Sequence, residues 1–205
     1  MISDSHKFIF LHVGKCAGTS IKEAMKDHPL VDVYHCEDLS YDHPTLQNME
    51  NMVKGHGHDP HDYFKFSVTR NPWDRMVSLY YHMLNLPTVW IYPHMGERLA
   101  KGGKRPDHDE LVKMQFTGSF EEFIDSQEHT STVYSGIDFV VRYENLKEDF
   151  NHVCSCIKID SYELPHIHYN TGRSAPTYRE YYNDKTRERV ADMFAENIKL
   201  FNYTF

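Results

Sequence analysis

The chain has 205 residues and a mass of 24.2 kDa, enough for one domain with a substantial core. Hydrophobic residues make up 40% and charged residues 25%, and the formal net charge of −8 argues against a general nucleic-acid binder or a polybasic membrane-surface protein. No apolar run approaches the ~20 residues of a membrane span, the opening MISDSHK lacks a signal-peptide core, and Cys16, Cys36, Cys154 and Cys156 form no disulfide framework. A reduced, cytoplasmic protein is the expectation.

Phe8 to Val13 (FIFLHV) is nearly continuous apolar, as in a strand buried on both faces. A helix follows, with Ile21, Ala24, Met25 and His28 on one face and Pro29 as its bound. Leu46, Met49 and Val53 are spaced for one stripe of a second helix. Tyr63 to Arg70 (YFKFSVTR) alternates Phe64, Phe66 and Val68 against Lys65, Ser67 and Thr69, the period of a strand. Asn71, Pro72 and Asp74 then supply an N-cap, a first helical position and a first-turn acid. About 87–116 the pattern breaks down, and KGGKRPDHDE reads as a mobile surface loop. Ser119 and Glu122 form a capping box before Phe120, Phe123 and Ile124. DFVVRYENL reads as another buried strand, Leu146, Phe150, Val153 and Ile157 as a helix, and Val190, Phe194, Ile198 and Phe201 as a C-terminal helix. Strands alternating with helices predict a single α/β domain over 1–205, three-layered and P-loop-like, with a mainly parallel central sheet flanked by helices.

Ligands of such sheets bind at the carboxyl ends of the strands, and both Lys15 and Arg70 fall at such ends. The stretch GKCAGTS follows the first strand and opens a helix, where free N–H groups and the positive helix end attract an anion. Gly18 allows close backbone approach, and Thr19 and Ser20 supply hydroxyls. An ATP-type loop carries Gly-Lys-Ser/Thr at its end, whereas Lys15 stands near the start of this one. That order favours a phosphate anhydride handled without a metal. Further on, RNPWDRMVS sets Arg70 at a strand end and Ser78 two turns into the next helix, a pairing able to converge on one phosphate.

Together GKCAGTS and RNPWDRMVS resemble the two cofactor signatures of sulfotransferases that use PAPS (3′-phosphoadenosine 5′-phosphosulfate). VVRYENLKEDF and the segment from Leu164 to Phe205 resemble the carbohydrate-type branch of that family. The resemblance implies that Lys15, Cys16, Ala17, Gly18, Thr19 and Ser20 hold the 5′-phosphosulfate, with Lys15 on the bridging oxygen and Ala17 contributing backbone alone. It implies Arg70 and Ser78 on the 3′-phosphate and, more weakly, Arg173. Cys16 stands where the family often has Thr, so packing explains it better than a reactive thiol. Arg75 reads as structural.

Transfer to a hydroxyl needs a base. KGHGHDPHD offers His56, His58 and His61, and a His-Gly-His stretch resembles the catalytic region of uronyl-type carbohydrate sulfotransferases, which makes His56 or His58 the expected base, with His35 or Glu37 next. Among 15 histidines, a surface cluster unconnected with catalysis remains the competing reading, and a metal site at His56, His58 and Asp59 lacks a distal ligand. The acceptor implied is a carbohydrate or small-metabolite alcohol, with no metal required and no nucleic-acid partner. Two rivals stand beside this reading: a P-loop-type nucleoside or metabolite kinase, and a non-catalytic nucleotide-binding module. The oligomeric state is not encoded in any of these motifs.

Overall fold

The computed structural model describes residues 1–26, 45–85, 116–127, 134–160, 163–164 and 174–205. Where the sequence alone suggests one domain, the chain clusters into two compact units, one of Met1–Arg70 with Val133–Tyr169 and one of Asn71–Thr132 with Asn170–Phe205.

The first unit holds a four-stranded sheet in the order β1 (Ile2–Ser3), β2 (Phe8–Leu11), β3 (Phe64–Thr69), β4 (Phe139–Arg142). Strand β1 pairs antiparallel with β2, while β2–β3 and β3–β4 are parallel, in the registers Phe8↔Phe64 and Phe66↔Phe139. Parallel neighbours need long crossovers, and α1 (Gly18–Lys26) and α2 (Leu46–Gly55) lie in the first of them. Helix α5 (Leu146–Cys156) follows β4.

Side-chain alternation sorts the layers. Phe8, Phe10, Phe66, Val68 and Val141 face one side, where they meet Ile21, Ala24 and Met25 of α1 and Phe150 and Val153 of α5. Ile9 and Leu11 face the other side and meet Met49 and Val53 of α2. Helices on both faces of a mainly parallel sheet give the expected three-layer α/β arrangement. Phe10 and Phe66 stack at 4.8 Å between ring centroids in the middle of the first layer. Each such fully buried side chain stabilises by roughly 1.5–3 kcal/mol.

Two strands differ from their sequence patterns. The polar face of β3 is buried as well, because β3 is central: Ser67 donates to the Leu11 carbonyl, and the Lys65 ammonium reaches the Pro60 carbonyl at 2.9 Å. Strand β4, expected to be buried, is last in the order of the described strands, with Val141 its one buried residue and Arg142 exposed.

The second unit is helical among its described residues: α3 (Pro72–Asn85), α4 (Phe120–Ser126), α6 (Asp184–Met193) and α7 (Ala195–Phe201). Its start signals work as the sequence predicts. Asn71 Oδ1 accepts from the Trp73 and Asp74 amides, and the Ser119–Glu122 capping box forms at α4. The single C-terminal helix expected from Val190 to Phe201 is instead two, because Phe194 (φ −117°, ψ 23°) breaks the run. Its core joins Trp73, Met76, Val77, Phe120, Phe123 and Phe194, and Tyr182 bonds the Trp73 carbonyl at 2.9 Å. The expected loop at about 87–116 lies outside the described residues except for Phe116.

Candidate active site

At the carboxyl end of β2 the backbone does something side chains rarely favour. Lys15 (φ 65°) and Ala17 (φ 64°) are both left-handed, and neither is glycine. Each such residue costs roughly 1–2 kcal/mol, so the surroundings must hold it there. Left-handed residues alternating with the one between them turn successive N–H groups toward a common concavity, which is how backbone nests take an anion. Helix α1 begins directly after, its first intrahelical bond running from the Ile21 amide to the Ala17 carbonyl at 3.2 Å. The N–H groups of its first turn therefore open onto the loop, with the positive end of the helix dipole behind them.

Gly18 has a different reason for being glycine from the one the sequence suggests. A Cβ there would come within 1.8 Å of His12 Cδ2, because the His12 ring lies over this position. His12 in turn stacks on Phe10 at 6.1 Å. Thus Gly18 lets the side chain just after β2 fold across the start of the helix at the loop's entry. Cys16 is buried, and its thiol donates to the Gly14 carbonyl at 3.6 Å, the packing role expected of it.

Arg70 closes the other side. It follows β3, is buried, and its Nη1 donates to the Lys15 carbonyl at 3.0 Å. Its guanidinium also lies over the Tyr143 ring, 3.9 Å from Cζ to the centroid. Partial burial pushes the Lys15 ammonium below the ordinary lysine value, and the Arg70 charge adds to that. An anion beside these backbone donors would be attracted by both cations. Nothing in the sequence around Tyr143 except its place just after a strand signals this contact, which the motifs miss together with His12.

The structure places His56 and His58 beside Asp4 rather than at this loop. His56 Nδ1 lies 3.3 Å from Asp4 Oδ2, and His58 Nε2 lies 3.8 Å from the same oxygen. Tyr63 donates to the other Asp4 oxygen, and Lys7 reaches His58 Nδ1 and Tyr63 at 3.4 Å each. Lys7 precedes β2 and Tyr63 precedes β3, so the cluster sits at the amino end of the sheet. The six residues of β3 alone put about 20 Å between the two ends. The physical reason is that α2 runs back down the sheet before the histidines arrive. His61 caps no better: its amide is bound by Asp59 in the turn before β3. Among the described residues no group of three or more His, Cys, Asp and Glu side chains is placed to hold a metal ion.

Ser78 is buried on α3 in the second unit. Arg75 packs its guanidinium over the Phe194 ring at 5.6 Å, the structural role expected of it. Thr19 and Ser20 are half-buried in the first turn of α1. Arg173, His35 and Glu37 lie outside the described residues.

Comparison with known proteins decides what this loop belongs to. The model of the Sulfotransferase family matches residues 1–204. The chain belongs to that family. Among curated sulfotransferases, carbohydrate sulfotransferase 11 of Mus musculus and of Rattus norvegicus are each 22% identical to it over 236 residues, covering 100% of this chain. The chain spans 66% of the length of each of these relatives. No solved structure matches it. The family match runs through both units, so the sulfotransferase signature loop and the aromatic helical unit are parts of one family pattern.

Proposed function

We propose that the chain transfers a sulfuryl group from PAPS to a hydroxyl of a carbohydrate or small-metabolite acceptor. The observation that carries this is the pair of left-handed residues, Lys15 and Ala17, braced by Arg70 at the mouth of α1. Such a site suits the phosphate of a phosphosulfate anhydride: it offers N–H donors, hydroxyls from Thr19 and Ser20, and two cations. The likeness to carbohydrate sulfotransferases supports a carbohydrate acceptor.

PAPS, when bound, supplies the sulfuryl group and a phosphate as leaving group. The residues of this chain do the rest. Lys15 presents its ammonium where negative charge grows on the leaving oxygen, and its preformed setting spares reorganisation at that moment. Gly18, Thr19 and Ser20 hold the 5′-phosphate through first-turn donors, with Cys16 and Ala17 shaping the backbone. Arg70 faces the 3′-phosphate side, where Ser78 and Arg173 enter through the resemblance alone. The acceptor proton goes to a base other than His56 or His58, and His35 and Glu37, in the connection between α1 and α2, are the residues to replace first.

The test is calorimetry with PAP, the desulfated product, against ATP, followed by transfer from labelled PAPS to a panel of sugars. PAP binding without ATP binding, and label on a hydroxyl, is the expected result. Preference for ATP with magnesium would establish the kinase reading instead.

A further inference from the structure

Tyr143 is exposed, yet it is the ring on which a buried arginine rests. It begins a 3-10 turn, Tyr143–Asn145, directly after β4, the parallel neighbour of β3. The last pair in that register is Thr69↔Arg142, so Arg70 and Tyr143 are the next residues along two adjacent strands. Register alone therefore sets them side by side at the carboxyl end. The turn is anchored from below: the Arg142 amide donates to Asp149 Oδ2 and Asn145 Nδ2 to Asp149 Oδ1, both at 2.7 Å.

We propose that Tyr143 is a positioning residue of the donor site, acting through Arg70 to hold the phosphate loop in its binding conformation. The chain of contacts is short. The Tyr143 ring fixes the guanidinium plane, and Arg70 Nη1 donates to the carbonyl of Lys15, the residue whose left-handed backbone has to be held. A forked grip on a phosphate works only if that plane points the right way, since its donors are rigidly arranged. A cation on an aromatic face is attracted by the ring's electrons, so a phenyl ring serves where an aliphatic side chain of similar bulk does not. The proposal rests on the donor reading above but concerns a residue which that reading leaves idle.

The test compares full-length Tyr143→Phe and Tyr143→Leu with wild type in three measurements: the Arg70 side-chain N–H resonance, PAP affinity, and steady-state kinetics with PAPS. Wild type and Tyr143→Phe should share a ring-current shift at Arg70 that Tyr143→Leu loses. PAP binding and kcat should be unchanged in Tyr143→Phe, and both should fall about tenfold in Tyr143→Leu at an unaltered Tm, one lost cation–π contact of ~1.4 kcal/mol. The alkaline limb of kcat/KM should also move upward in Tyr143→Leu, as Arg70 swings away from Lys15. Equal losses in both variants, or full PAP affinity and kcat in Tyr143→Leu, would overturn the proposal, as would an Arg70 resonance indifferent to the ring. If wild type itself ignores PAP, the donor reading falls, and the ring-current comparison still decides whether Tyr143 positions Arg70.

Discussion

The two ends of the sheet in the first unit carry similar residue types and opposite physics. At the amino end His56 and His58 share the Asp4 carboxylate, with Tyr63 and Lys7 completing the group. Charges and donors there answer one another. At the carboxyl end Lys15 and Arg70 stand together, two backbone residues are left-handed, and a helix begins. Positive charge gathers there, and the Arg70 charge helps to lower the Lys15 value. A cluster of ionisable groups therefore marks a site less reliably than a surplus of one sign held in a strained frame. His-Gly-His is conspicuous in the sequence and locally satisfied in the fold; Lys15 is one lysine among many and is the one under load.

The sharpest way to break that contrast is to remove the cation at one end and the imidazoles at the other. Lys15→Ala should lower kcat by about 10²–10³ while PAP affinity changes little, since its contact strengthens as the bond breaks. His56→Ala and His58→Ala, assayed alongside, should keep kcat within about twofold. Loss of transfer in either histidine variant with PAP binding intact would make that histidine the base.

Arg70→Ala comes next in size. Bonds to a charged group contribute about 1.5–3 kcal/mol, so PAP should bind roughly ten- to a hundredfold more weakly by calorimetry. An unchanged dissociation constant would remove Arg70 from the donor site.

Glycines sharpen the comparison through stability. Gly18→Ala drives a methyl into the His12 ring and should cost about 1–3 kcal/mol, read as a lower Tm. Gly55→Ala, at the opposite end on α2, meets nothing within 4 Å and should stabilise by about 0.4–1 kcal/mol. Equal effects would mean that His12 moves aside at no cost.

The smallest expected effect is on pH dependence. The Lys15 value is lowered in the folded chain, first by burial and then by Arg70. Its charged form is needed for transfer, so kcat/KM should decline on the alkaline side below the ordinary lysine value of about 10.5. The folded state holds this proton less tightly than the unfolded one, so the same lysine makes the fold more stable as pH rises through that window. Arg70→Gln should move the alkaline limb upward. A limb that stays in place would mean that burial alone sets the shift.

Much of this was written locally. The alternation in Phe64–Thr69, the Ser119–Glu122 box and the Asn71–Pro72 start each specify an element with neighbours a few residues away, and each forms as expected. The loop between β2 and α1 was legible for the same reason, since strand, glycine and helix start are contiguous in Phe8–Lys26. The C-terminal run misled because a hydrophobic stripe continues across Phe194 although the backbone does not. What only the tertiary structure decided depends on partners far apart in the chain. The ring over Arg70 is 73 residues downstream and follows from the β3–β4 register, not from any motif. The parallel crossover through α2 returned His56 and His58 to the amino end of the sheet, beside Asp4. The reason Gly18 is glycine is a histidine just past the end of the preceding strand. Sequence period sets which residues point inward; the pairing of parallel strands sets which end of the sheet a residue reaches, and chemistry depends on the second.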